Sequence, residues 1–208
     1  LRMSGEQKLK EGDEIVQQTE SSNSCDLLFF TDKCQVYKAK VSDFGDTKAS
    51  VLGEYIPAKL GMEEGENAVY MAVTKDYSGH MLFFFENGKA AKVDMSSYAT
   101  KTNRRKLLGA FSDKSPAAAV CQISEDQEFL LTNTQGRMLL IHTGAVASKA
   151  TRATQGVAVM TLKRGQRLLR AIPYEEGTLQ NPNRYRKNIP AAGSMPEAKE
   201  TAGEQLTL

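Results

Sequence analysis

The residues of this chain whose types and spacing are best suited to chemistry are its cations. Lys and Arg gather in KTNRRK (101–106), KATR (149–152) and KRGQRLLR (163–170), while acidic residues are dense in 1–26, in 63–66 and towards the C-terminus. A formal net charge of only +2 over 208 residues therefore conceals local basic patches able to bind anions. Lys and Arg on strand edges also deter edge-to-edge aggregation, but their clustering on corresponding parts of successive repeats favours anion binding. Nucleophilic, acid–base and metal chemistry find no comparable support. His80 and His142 are the only histidines, each beside or within a hydrophobic run, and they read as structural or surface residues. Cys, His and carboxylate spacings match no zinc pattern. NGK (87–89) and GRM (136–138) are turn ends, because neither has the Gly-Lys-Ser/Thr signature that opens a helix in a phosphate loop. No catalytic residue and no metal ligand is assigned.

The elements that must carry these cations repeat. DLLFFTDKCQVYKAKV (26–41), HMLFFFENGKAAKVDM (80–95) and EFLLTNTQGRMLLIHT (128–143) each read as a hydrophobic strand, a tight polar turn and a second strand. Aligned on their turns they put Cys34, Gly88 and Gly136 in register about fifty residues apart, the spacing of one four-stranded blade in a repeat array. A phase-shifted second repeat, LKEGDEIV (9–16), LGMEEGENAV (60–69) and LKRGQRLL (162–169), with Pro116 in a weaker copy at 111–123, predicts a second hairpin per unit. The expected architecture is all-β: a partial blade at 1–25, blades at 26–76, 77–124 and 125–174, and a polar tail at 175–208 that either lies over the domain or is disordered. The chain opens inside the second half of a unit, so its N-terminus reads as a fragment boundary. Residues 40–46 and 94–111 lack helical periodicity and are expected to be loops and short turns.

Composition agrees with one soluble globular domain, at 40% hydrophobic and 25% charged residues. The longest apolar run, MLFFF (81–85), is far short of the ~18 residues of a membrane span. Three widely separated cysteines, Cys25, Cys34 and Cys121, suit free thiols in a reducing cytoplasm better than a disulfide framework. Phe29, Phe30, Phe83, Phe84, Phe85 and Phe129 are assigned to core packing and not to base stacking, since consecutive residues on a strand alternate faces; only Tyr37 is left open.

The units DLLFFTDKCQVYKAKV, LGEYIPAKLGMEEGENAVYMAV and KATRATQGVAVMTLKRGQRLL resemble the C-terminal domain of the bacterial type II topoisomerase A subunit, that of gyrase or topoisomerase IV, over about 3–173. The best single match is TRATQGVAVMTL (151–162). The resemblance implies a β-pinwheel, a propeller-like array whose blades exchange an outer strand with a neighbour, and a basic rim that binds and bends duplex DNA for strand passage. It also implies a bacterial, cytoplasmic, nucleoid-associated protein with no membrane association. The domain itself is expected to have no enzyme activity and no cofactor. ATP and Mg would enter through other domains of the holoenzyme, whose partners are the ATPase B subunit and the catalytic core of the same A subunit. The Gln-Arg-Arg-Gly-Gly-Lys/Arg-Gly box of gyrase A subunits is missing. TNRRKLLGAF (102–111) offers Leu107 and Leu108 where paired glycines would stand, which argues against tight wrapping and suits topoisomerase IV-like decatenation and relaxation, or a divergent gyrase-like A subunit.

On this reading the cations that meet phosphate are Lys33, Lys38 and Lys40 in the first full unit, Lys89 and Lys92 in the second, Arg137, Lys149 and Arg152 in the third, and the dense patch Lys101, Arg104, Arg105 and Lys106. The competing reading is a propeller-like protein-interaction scaffold without DNA binding. The two differ in geometry: one continuous outer rim of these residues favours DNA, and scatter over both faces favours the scaffold.

Overall fold

A computed structural model of the protein describes residues 11–47, 51–102 and 104–200. Its strands, in chain order, are β1 (Asp26–Thr31), β2 (Val36–Lys40), β3 (Ala68–Thr74), β4 (His80–Phe85), β5 (Lys89–Asp94), β6 (Lys106–Leu107), β7 (Ala117–Ile123), β8 (Glu128–Asn133), β9 (Met138–His142), β10 (Ser148–Lys149), β11 (Val157–Ala158) and β12 (Leu168–Pro173). They form three sheets, β3-β1-β2-β6, β7-β4-β5-β10 with β11 also on β5, and β12-β8-β9. An α-helix, α1 (Ile56–Leu60), opens with Pro57 in its first turn and ends on Gly61 in the left-handed region.

The hairpin repeat folds as the turn alignment predicts. Cys34, Gly88 and Gly136 all have positive φ (55°, 84° and 80°). Each donates its amide to the carbonyl three residues earlier, Thr31, Phe85 and Asn133, at 3.1, 2.9 and 3.0 Å. Gly88 is required for a further reason: its carbonyl accepts the amides of Val159 and Met160, and a Cβ there would lie 2.2 Å from the Met160 oxygen. The Cys34 carbonyl accepts the Ala110 amide in the same way at 2.8 Å, but leaves room for a side chain.

Among the described residues the second hairpin does not form. Only its return arm is a strand (β3, β7 or β12), and the arm before the turn leaves the sheet. In two units that departing segment joins the preceding blade, β6 pairing with β2 and β10 and β11 with β5. Its backbone groups are thus satisfied across the blade boundary, the one place where two strand edges meet. The stretch 94–111, expected to be loops and turns, therefore contains an exchanged strand. No strand forms in the described part of 1–25; there, the Gln17 side-chain amide pairs with both backbone groups of Met71 on β3 (2.6 and 3.0 Å).

Both faces of the middle sheet are buried, which explains why the strands read as unbroken apolar runs instead of alternating. Met81, Phe83 and Phe85 face the first blade and pack with Leu28, Phe30, Tyr98 and Phe111. Leu82 and Phe84 face the third and pack with Phe129, Leu131, Val146 and Val159. All six phenylalanines named above are at most 5% exposed, each contributing about 1.5–3 kcal/mol by burial. Tyr37, 2% exposed, is also a core residue, its hydroxyl donating to the buried carboxylate of Glu66 at 2.7 Å.

The C-terminal segment is docked. Ser194 and Met138 exchange backbone hydrogen bonds of 2.9 Å, and Leu140 donates to the Tyr185 carbonyl, so the tail occupies the edge of β9 that an exchanged strand fills in the other blades. Tyr185 (0% exposed) and Leu179 bury against Leu130, Met138 and Leu140. The Arg186 guanidinium grips Glu128 through two hydrogen bonds of 2.8 Å and holds that carboxyl below its ordinary range.

Candidate nucleic-acid interface

The exchanged strands β6 and β10, with the segment leading into β6, carry the exposed cations Lys101, Arg104, Arg105, Lys106 and Lys149. On the first blade β6 continues from Lys101, Thr102, Arg104 and Arg105, and beside it runs a cleft of about 450 Å³ lined by Lys38, Lys40, Thr100, Thr102, Arg104 and Arg105, with Asp26 and Asp43 on its wall. Lys40, Lys101, Arg104 and Arg105 are exposed, and among the described residues none of them forms an ion pair through its side chain. Asn103 lies outside the described residues. This is the densest cationic patch, as the sequence indicates, and β2 and β6 position it by pairing Tyr37 with Lys106 while Lys38 donates its amide to Arg105 at 2.7 Å.

Lys38 has a different task. Its ammonium donates to the Tyr98 carbonyl (2.8 Å) and the Thr100 hydroxyl (3.0 Å) and sits 5.2 Å above the Tyr77 ring. Burial pushes its pKa down, against the pull of Asp26. It ties the first blade to the segment that crosses from the second. That segment links to the next: Arg152 donates to the Ser97 carbonyl at 3.0 Å and Ser97 to the Ala150 carbonyl at 2.7 Å. Lys149, exposed on β10 opposite Val93, continues the same edge. Lys38, Lys40, Lys101, Arg104, Arg105, Lys149 and Arg152 thus sit on segments of two neighbouring blades that are joined by hydrogen bonds through 97–100.

The other five candidates are paired with protein groups or partly buried. Lys92 is 5% exposed, its ammonium held by Asp126 (3.0 Å) and the Thr143 carbonyl (3.1 Å), so it leaves the set of phosphate contacts. It occupies the hairpin position of Lys38, opposite Leu82 as Lys38 is opposite Leu28, and likewise ties its blade to the next. Lys33 and Lys106 converge on Glu63 at 3.4 and 3.1 Å, which lowers the pKa of that carboxyl. Arg137 donates to the Gly193 carbonyl of the tail. Lys89 is half-buried where β11 crosses β5. Single-residue reasoning misses these assignments because the partners are 30 to 56 positions away. It also misses Lys187, exposed on the docked tail beside His142, since no local pattern marks the tail as a blade edge.

No histidine, cysteine or carboxylate cluster among the described residues is arranged to hold a metal ion. No helix among them is long and apolar enough to cross a membrane. His80 approaches Asp94 at 3.3 Å, both side chains partly exposed.

Comparison with known proteins identifies the architecture. No protein-family profile matches the chain. The fold matches the crystal structure of the C-terminal domain of DNA topoisomerase IV, with a TM-score of 0.70 and 23% identity over 82% of this chain and 53% of that one. It also matches the E. coli ParC C-terminal domain (TM-score 0.65, 12% identity, 92% and 84%) and the DNA gyrase A C-terminal domain (0.59, 17%, 89% and 64%). Among curated sequences, the A subunit of DNA topoisomerase 4 from Staphylococcus aureus is 23% identical over 74% of this chain, which spans about a fifth of that relative's length (20%). The chain has the β-pinwheel fold of these C-terminal domains.

Proposed function

We propose that this chain is a DNA-binding and DNA-bending domain of a type II topoisomerase A subunit, holding a duplex by its backbone and presenting it for strand passage. The observation that carries the reading is the exposed cluster of Lys40, Lys101, Arg104 and Arg105, none of them in an ion pair among the described residues, on a fold shared with the C-terminal domains of topoisomerase IV and gyrase A. Such a cluster supplies affinity through counterion release and gives no base readout, and Lys149 and Arg152 on the next blade offer further contacts to a bent duplex. The domain acts without a cofactor or catalytic residue of its own. ATP and Mg belong to other parts of the holoenzyme, where the partners are the ATPase B subunit and the catalytic core, in a bacterial cytoplasm at the nucleoid. Leu107, fully inside the first interface, and Leu108 replace the paired glycines of a wrapping box, which favours relaxation and decatenation over supercoiling.

Fluorescence anisotropy on a short duplex tests the proposal. With about five phosphates neutralised, log K falls against log[salt] with a slope of roughly −4 to −5. Reversing Arg104 and Arg105 to Glu weakens binding about equally for unrelated sequences and makes the slope shallower. A slope near zero refutes DNA binding and leaves the interaction scaffold as the better reading.

A further inference from the structure

The turns of the three blades gather on one face of the array. Each hairpin turn is bonded to the turn before the return strand of its own blade, Asp32 to Asn67, Glu86 to Pro116 and Thr134 to Arg167. Neighbouring blades are joined there by the Leu168 amide donating to the Glu86 carbonyl (2.9 Å) and the Ala110 amide to that of Cys34 (2.8 Å). The first and third blades build this face with the same hydrogen bonds. Asp32 and Thr134 donate their amides to the carbonyls of Asn67 and Arg167, both at 3.0 Å, and accept the amides of those residues on a side-chain oxygen at 2.9 and 3.2 Å. Glu63 and Lys163 donate their amides to the side chains of Glu66 and Gln166, at 2.9 and 3.1 Å, across Gly65 and Gly165 in the left-handed region.

The charge reverses although the bonding is kept. Where the first blade has Asp32, Glu63, Glu64, Glu66 and Asn67, the third has Thr134, Lys163, Arg164, Gln166 and Arg167. Thr134 and Gln166 supply the oxygens that the turn needs, so the fold does not require the cations beside them. Lys163, Arg164 and Arg167 are all exposed, and none has a side-chain hydrogen bond or ion pair among the described residues. They lie at the turn end of the third blade, whereas Lys40, Arg104 and Arg105 line a cleft with Asp26 and Tyr77 at the opposite end of the first.

We infer that the turn 163–167 is a second site for nucleic-acid phosphate, holding a duplex segment other than the one on the 101–106 cluster. The inference rests on the reading of this chain as a DNA-binding domain. Unpaired cations packed into one turn suit a run of phosphates and carry no base readout. The carboxylates of the first blade, on the same face, disfavour a polyanion there and confine it to the third blade. With sites at opposite ends of different blades, one domain bridges two duplexes.

Fluorescence transfer between two short duplexes, one with a donor dye and one with an acceptor, tests the inference on the 208-residue chain. Protein-dependent transfer is expected at low salt, with a second duplex bound per chain in sedimentation. Lys163→Glu combined with Arg164→Glu is expected to abolish transfer and leave the first duplex bound. Glu63 and Glu64 stand at these positions in the first blade, so the turn accepts the change and the Tm moves by no more than about 1 °C. Arg104→Glu combined with Arg105→Glu also abolishes transfer but leaves one duplex on the turn, with a salt slope of roughly −2 to −3 for three phosphates. Unchanged transfer in the turn variant overturns the inference and leaves the proposed function standing, whereas no duplex on the unmodified chain refutes both. One duplex per chain, weakened by either pair of reversals, overturns it in favour of a single duplex spanning both clusters. A protein dimer with one duplex per chain, dissociated by the turn variant, overturns it in favour of contact with the acidic turn of a second copy.

Discussion

At the scale of single residues, the lysines divide by what their hairpin position faces. Lys38 and Lys92 share one position, which looks onto the next blade, and each ammonium finds a carbonyl there, of Tyr98 or Thr143. The third hairpin has Leu140 at that position because it meets the tail's apolar residues instead of another blade. Lys92→Met keeps the packing and removes the bonds to Asp126 and Thr143. It is expected to cost about 1–3 kcal/mol in denaturant unfolding and to leave duplex affinity unchanged, the opposite of the expectation for Arg104 and Arg105. A large loss of affinity with unchanged stability would return Lys92 to the interface. The sequence made the two lysines conspicuous but did not separate them from Lys40 or Lys101, since a basic side chain looks the same whether water or a distant carbonyl receives it.

Among the elements, the hairpin was the readable unit. Its strands are apolar on both faces, its turn needs a left-handed residue, and both demands are local enough to mark the sequence. The exchanged strands are two residues each and leave no periodic pattern, so the predicted second hairpin dissolved into a departing arm and a returning strand. Gly88 and Gly136 offer a contrast that depends on the exchange. An alanine at Gly136 meets open space and carries only the left-handed backbone penalty, about 1–2 kcal/mol. Alanine at Gly88 also collides with the Met160 carbonyl, at 2.2 Å, and must push β11 off the second blade, for about 2–5 kcal/mol in total. Equal losses in thermal or urea unfolding would mean that the crossover does not press on the turn.

For the whole molecule, the tail covers the outer edge of the third blade. Deleting residues 175–208 strips the cover from Leu130, Met138 and Leu140 and leaves the β9 edge unpaired, so the shortened chain is expected to melt at lower temperature and to self-associate in sedimentation. Docking is also expected to depend on pH in a defined direction. The Glu128 pKa is lowered chiefly by hydrogen bonds from Arg186, so the stabilisation is fully present above the carboxyl's unfolded value of about 4.3 and is lost as pH falls through the lower folded value. NMR shifts of the Tyr185 ring are expected to hold from about pH 7 to about 5 and to move towards those of a free tyrosine only in stronger acid; movement near about pH 6 would point to another group. The sequence by itself determined the repeat, its fifty-residue spacing, the all-β class and the densest cationic patch, because strand hydrophobicity, turn backbone and like-charge runs are encoded within a few residues of one another. Tertiary structure alone decided which lysines face solvent, which strand belongs to which blade and that the polar tail completes the last one. Those outcomes depend on pairings between segments tens of residues apart, where burial and hydrogen-bond satisfaction across blade boundaries choose among local patterns that look equivalent.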